Sequence, residues 1–229
     1  MTVENMDLSN TSVGIELWNT KDSKILNNTV SNNSRGGIRL SHSSNNSITG
    51  NNASSNIGTG IYLASSSNNC ITGNNVCNNH WNGIDLSSSS NNSITGNNVS
   101  NNNNDGIYIR HSSNNKIYFN NFINNTDNVD SSKSTNIWNS PFEIIYTHDG
   151  TTYKGYLGNY WDDYEGTDGD GDGIGNTPYS IDPEEDENDD YPLMKPFENY
   201  NIRICIATYL FKSFSVFSFC EKFNLTLFD

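Results

Sequence analysis

Gly14, Gly37, Gly60, Gly83 and Gly106 stand 23 residues apart, and each is followed by isoleucine. Two residues beyond each isoleucine come Leu17, Leu40, Leu63, Leu86 and Ile109. Further columns keep the same spacing: Ile25, Ile48, Ile71, Ile94 and Ile117; Asn28, Asn51, Asn74, Asn97 and Asn120; Val30, Ala53, Val76, Val99 and Phe122. Low-complexity drift slips by a residue or two, so several columns in register exclude it. A repeat this short cannot bury its apolar face alone, and its neighbours must bury it by stacking.

The pattern inside one unit selects the architecture. Gly-Ile-x-Leu alternates with period two, as a half-buried strand does. Ser-Ile-Thr-Gly-Asn and Asn-Val-Ser-Asn-Asn read as two more short strands, separated by Ser/Asn clusters such as Ser43-Ser44-Asn45-Asn46 that carry turn chemistry. No segment has helical apolar spacing, and propeller blades need about 40 residues or more. Three short strands per unit predict an all-β chain, a right-handed parallel β-helix of about five coils with rungs about 4.8 Å apart. Hydrophobic residues make up only 33% of the 229-residue chain, below the roughly 45–50% of ordinary globular domains. A thin solenoid needs only three to five inward side chains per coil, so the low value fits. Asparagine, at 42 residues, supplies corner ladders that hydrogen-bond from rung to rung as stacked amides do.

The unit G-I-x-L-x-x-S-S-N-N-x-I-T-G-N-N resembles the NosD-type β-helix repeat, grouped with carbohydrate-binding and sugar-hydrolase β-helices and abundant on archaeal cell surfaces. Residues 160–193 resemble the segment that follows the repeats in such proteins, so the resemblance covers roughly residues 3–195. It implies an extracellular or cell-surface location. The chain opens inside a repeat without a basic n-region, apolar h-region or cleavage site. Members of the family are usually exported, so the expectation is a fragment or mis-started chain.

Residues 1–128 are read as the repeats. Residues 129–195 are read as a hairpin, turning at Asp149-Gly150, followed by an acidic Asp/Gly-rich cap. Residues 196–229 form an atypical apolar and aromatic tail. The stretch from Ile204 to Cys220 is shorter than the roughly 20 apolar residues of a membrane span, so the tail is read as an unrelated appendage, with a cap strand or helix and a membrane anchor as the alternatives.

The net charge of −14 is local. Residues 1–130 hold eight acids and six bases, whereas residues 162–190 hold thirteen acids and no Lys or Arg. No basic face is available for nucleic acid. Within the acidic segment, Asp168, Asp170, Asp172 and Asn176 occupy positions 1, 3, 5 and 9 of an EF-hand-like loop with Gly173 at position 6, which predicts Ca²⁺. Position 12 is Tyr179 instead of the bidentate Glu, so Asp163, Glu165 or Asp182 would have to complete the shell. The alternative is a solvated acidic loop. The run Glu184–Asp190 is read as a solvated, self-repelling surface segment.

Copper, which the family name suggests, wants clustered His, Cys or Met. His42 and His111 share a repeat position three coils apart, about 14 Å by the rung spacing, so copper is disfavoured. No CxxC zinc pattern is present, and the four cysteines imply no disulfide framework. The column between the Ile and Leu columns faces outward: Glu16, Arg39, Tyr62, Asp85 and Tyr108. Tyr62, Asp85 and Tyr108, with Trp81 beside them, form a candidate sugar-stacking face; the plain alternative is cross-rung pairing. No catalytic residue is assigned, because Asp85 has no acidic neighbour in its column and a glycosidase needs two carboxylates. The function expected is a non-catalytic surface or envelope protein presenting an elongated face to carbohydrate or protein. The alternatives are a β-helix polysaccharide lyase or glycoside hydrolase and, third, a copper-handling accessory protein.

Overall fold

A computed structural model describes residues 1–203. Eighteen short strands form three six-stranded parallel sheets that wind into a β-solenoid of six turns. The first sheet stacks Thr2–Glu4, Lys24–Leu26, Ser47–Thr49, Cys70–Thr72, Ser93–Thr95 and Lys116–Tyr118. The second stacks Thr29–Ser31, Asn52–Ser54, Asn75–Cys77, Asn98–Ser100, Asn121–Ile123 and Tyr160–Trp161. The third stacks Val13–Trp18, Gly36–Ser41, Ile61–Ala64, Ile84–Ser87, Asp105–Arg110 and Asp127–Ser132. Ile25, Ile48, Ile71, Ile94 and Ile117 pair in sequence along one sheet, as the repeat predicts. The sequence frame yields about five coils; the sixth rung is recruited from Asp127–Ser132 and Tyr160–Trp161, outside that frame.

The core is a narrow column. The Ile, Leu and Val ladders of the middle coils are fully buried. The repeat glycine is a packing requirement: a Cβ on Gly83 would lie 2.5 Å from Val99 Cγ1 and 2.6 Å from the Gly106 carbonyl oxygen. A second glycine column serves the backbone, with Gly50, Gly73 and Gly96 at φ of +65°, +63° and +64°. Phe119 takes the same left-handed conformation one coil on, at φ +63°, and turns its ring into the cap cluster with Ile144, Tyr146, Leu157 and Leu193. Aromatic rings close the C-terminal end of the core. Phe122 stacks on Trp161 at 4.5 Å, and Trp161 stacks on Tyr179 at 4.4 Å.

Three asparagine ladders run along the corners: Asn28 to Asn159, Asn33 to Asn125 and Asn46 to Asn136. In each, Nδ2 donates to Oδ1 of the next coil's asparagine at 2.9–3.2 Å. That Oδ1 also accepts the preceding coil's backbone N–H. The backbone N–H and one Nδ2 hydrogen bond of each asparagine run toward the C-terminal end, while in most of them Nδ2 also donates back to a carbonyl of an earlier coil, so the last asparagine of each ladder turns donors past the final rung. Buried donors left that way cost about 1–3 kcal/mol each, and an acceptor-only carboxylate is the matching group.

The acidic segment supplies those carboxylates, which corrects the expectation that Glu184–Asp190 is wholly solvated. Glu187 and Asp189 are buried, whereas Asn188 between them is not; the alternation is that of a strand. Asp189 Oδ2 accepts from Asn159 N at 2.8 Å, Asn159 Nδ2 at 3.2 Å and Trp161 Nε1 at 3.0 Å. Its other oxygen accepts from Tyr191 N at 3.1 Å. Gly158 makes room for this carboxylate, because a Cβ there would fall 1.9 Å from Asp189 Oδ1. Glu187 accepts from the Asn136 backbone N–H at 2.7 Å, Trp138 Nε1 at 2.9 Å and Ser131 Oγ at 2.8 Å, whereas Asn136 Nδ2 itself stays buried without a partner. The remaining ladder ends through Asn128, whose Nδ2 donates to Asp162 and Asp163 at 2.8 and 2.7 Å.

Outside the solenoid, Ile144–His148 and Thr151–Gly155 form an antiparallel hairpin turning at Asp149-Gly150, and Asn201–Arg203 joins its edge. Among the described residues, no helix is long and apolar enough to cross a membrane. The aromatic stretch of the tail, Cys205 and Cys220 lie outside the described residues.

Candidate functional site

The outward column of the third sheet is a continuous ladder in register: Glu16, Arg39, Tyr62, Asp85, Tyr108 and Asp130. Adjacent rungs therefore bring Tyr62, Asp85 and Tyr108 together, with the acid between two half-buried phenols. Trp81 is 55% exposed on the bend leading to the strand and makes no ring contact with either tyrosine. Asp85 is only 8% exposed. Asn82 Nδ2 donates to one of its oxygens at 3.2 Å and Ser87 Oγ to the other at 3.1 Å. Burial raises Asp85 to about 6, and those two hydrogen bonds oppose the rise.

A second carboxylate lies outside that column. Asp105 opens the next strand and lies opposite Asp127. Burial, then the charges of Asp130 and Asp127 and more weakly Asp85, raise Asp105 to about 6. Asp130 is raised by burial and by the charges of Asp127 and Asp182. The sixth rung pairs at a spacing of 22 residues where the earlier ones pair at 23. That one-residue slip sets Asp127 against Asp105, and it was the available sequence signal. The third sheet thus carries a coupled acidic group over its last three coils.

The other locus is the glycine-rich loop. One oxygen each from Asp168, Asp170 and Asp172 lie within 4.8 Å of one another, the span of two oxygens on opposite sides of an ion that binds at about 2.3–2.6 Å. Asp168 organises the loop. Its carboxylate accepts from Gly171 N at 2.7 Å, Asp172 N at 3.2 Å and Gly173 N at 2.8 Å. Burial works against its ionisation, but these amides outweigh it and hold Asp168 below the usual carboxylate range. Asp172 is raised by burial and by the charges of Asp170 and Asp168, against the Ile174 amide. Asn176 braces the loop by accepting from Gly169 N and donating to Asp170 at 3.3 Å. Tyr153 and Tyr200 pin the carbonyls of Gly171 and Gly173.

Two of the three candidates for completing the shell are engaged elsewhere. Asp163 holds Asn128 and the Tyr179 hydroxyl, and Asp182 accepts from Glu184 N. One buried polar atom beside the loop, His148 Nδ1, lacks a hydrogen-bond partner, and the Tyr146 phenol faces the Asp172 carboxylate. Burial and the charge of Asp172 push the Tyr146 phenol well above its ordinary range. The His148 ring lies against Gly173, where a Cβ would come within 2.7 Å of it.

A family profile described as "Periplasmic copper-binding protein (NosD)" matches residues 1–166. Among curated proteins, none matches the sequence. Among solved structures, a double mutant of the periplasmic alginate epimerase AlgG is similar at 27% identity and a TM-score of 0.51, over 59% of this chain. The unsubstituted AlgG is similar at 21% identity and a TM-score of 0.50, over 59% of this chain and 37% of its own. The chain spans about a third, 32%, of the first epimerase's length.

Proposed function

The chain belongs to the NosD family, and we propose that it is an envelope β-helix whose third sheet binds carbohydrate without transforming it. The observation that carries this reading is the ladder Tyr62–Asp85–Tyr108. Phenol rings offer flat apolar area with a polar tip, and an acid set between them accepts from sugar hydroxyls. The rungs repeat at a spacing of about 4.8 Å, so an extended chain lying along the axis meets the same kind of surface at each coil. The family description and the epimerase neighbours both carry the word periplasmic, which supports an envelope location.

The residues present do not fit copper. Among the described residues, the His, Cys, Asp and Glu side chains that converge in a group of three are Asp168, Asp170 and Asp172, all hard oxygen donors, whereas copper selects imidazole, thiolate and thioether. His80 is tied to Asn103 at 3.2 Å, and His148 is stacked on Tyr200. We infer that the loop takes Ca²⁺, which Asp168, Asp170 and Asp172 would hold through hard carboxylate oxygens. In that role the ion stiffens the cap and is not a reaction centre.

A glycan-processing enzyme is the second reading, favoured by Asp85 and Asp105. Both are raised to about 6 and their charges interact, the condition of an acid/base pair near neutral pH. A glycan array read together with product chromatography separates the two. Binding with no release of reducing ends or unsaturated sugars supports the binding role. Release that is lost in Asp85→Ala would replace it with the enzyme.

A further inference from the structure

We propose that a cleft at the basic end of the third sheet, walled by Arg35, Arg39 and Tyr62, binds the carboxylate of a hexuronate unit in an acidic polysaccharide. This rests on the reading of that sheet as a glycan-binding face and names the class of sugar it takes.

The cleft lies where the second and third coils meet and is completed by Val13, Gly36 and Thr59. Its volume is about 100 Å³, small against the roughly 300–1,000 Å³ of a pocket that swallows a ligand. It suits a carboxylate and the ring atoms that bear it, with the rest of the chain lying on the sheet. Its depth comes from glycine. A Cβ on Gly58 would fall 1.4 Å from the Arg35 carbonyl oxygen, so the two coils press together here without a side chain between them.

Both arginines line the cleft. Arg35 is exposed and makes no ion pair among the described residues. Arg39 Nε is shielded from solvent without a hydrogen-bond partner, because Glu16 Oε1 stays 3.7 Å away. The Arg39 guanidinium carbon stands 5.6 Å from the Tyr62 ring centroid, which fixes the plane of the fork. A planar fork beside a second cation is the arrangement that grips a carboxylate through two parallel hydrogen bonds. Tyr62 can meanwhile stack on the sugar ring.

Charge along the sheet orients the ligand. Arg35 and Arg39 sit on the second coil, where with Glu16 beside Arg39 they leave a net positive charge, whereas Asp85, Asp105, Asp127 and Asp130 occupy the later ones without an ion pair among the described residues. An anionic sugar is therefore drawn to the early coils and repelled from the late ones, in a chain whose net charge of −14 would otherwise exclude it.

Titration calorimetry on the full chain uses tetragalacturonate, its fully methyl-esterified form and a sulfated tetrasaccharide. The acid should bind at least tenfold tighter than the ester. Arg39→Gln and Arg35→Gln should each remove at least tenfold, and Arg39→Lys, which keeps the charge and loses the fork, should also weaken binding. Unchanged thermal unfolding of these surface variants confirms that they fold. If acid and ester bind alike and the arginine variants match wild type, the cleft assignment is overturned while the glycan face stands. A sulfated sugar binding tighter than the uronate overturns the ligand class. If no saccharide binds, both readings fall.

Discussion

Removing the Asp189 carboxylate should unravel the solenoid from its C-terminal end. In Asp189→Ala, Asn159 Nδ2 keeps other acceptors, the carbonyls of Ile117 at 2.9 Å and Trp138 at 3.0 Å. Asn159 N, Trp161 Nε1 and Tyr191 N lose theirs. Three buried donors at about 1–2 kcal/mol each give a loss of about 3–6 kcal/mol. Asp189→Asn keeps an acceptor toward Asn159 and Trp161 but turns an amide against Tyr191 N–H, and should cost about 1–2 kcal/mol. Urea unfolding followed by Trp138 and Trp161 fluorescence reads the magnitude, because both indoles are buried at the capped end. Hydrogen exchange reads the location: stability in a stacked repeat is a sum of neighbour terms. Exchange should rise in Asn121–Ile123 and Tyr160–Trp161 and stay unchanged in Ser47–Thr49. A loss below about 1 kcal/mol in the alanine variant, or a uniform rise in exchange, would refute the capping role.

Two further outcomes follow from the same geometry. Unfolded aspartates lose their protons near the ordinary value of 3.8, whereas folded Asp189 holds its proton to about 7 and Asp85 and Asp105 to about 6. Between those values the folded chain binds more protons, so this contribution to stability falls as pH rises from about 4 to 7 and is level above that; midpoints of thermal unfolding across that range should fall, and Asp189→Asn should flatten the slope. Ca²⁺ should raise the unfolding temperature of wild type, by about 2.7 kcal/mol at a hundredfold excess over the dissociation constant, and leave Asp170→Ala unchanged; calorimetry showing no Ca²⁺ uptake by wild type would remove the ion from the loop.

The repeat was legible because each column has one physical job at every coil. Gly83 cannot carry a Cβ, Ile71 must face inward, and Asn74 must meet Asn97; a 23-residue spacing announces all three. The cap was legible only as a change of texture. Its sixth rung joins Asp127–Ser132 to Tyr160–Trp161 across an intervening hairpin, a closure that no periodicity carries. The charge count also misled. Thirteen acids in residues 162–190 suggest solvation, yet Glu187 and Asp189 turn inward because the ladders deliver donors to them. The direction of an amide ladder is a property of the stack and is invisible in composition. For the third sheet, Tyr62, Asp85 and Tyr108 followed from their column, whereas the approach of Asp127 to Asp105 required the one-residue slip in register.

Hydrogen exchange with and without bound oligosaccharide tests the proposed function most directly, because it reports which face is covered. Saturating tetragalacturonate should protect amides in Gly36–Ser41 and Ile61–Ala64 and leave the other two sheets at their free rates. Protection confined to the glycine-rich loop or to the first sheet, or no protection with any saccharide, would contradict a carbohydrate-binding third sheet.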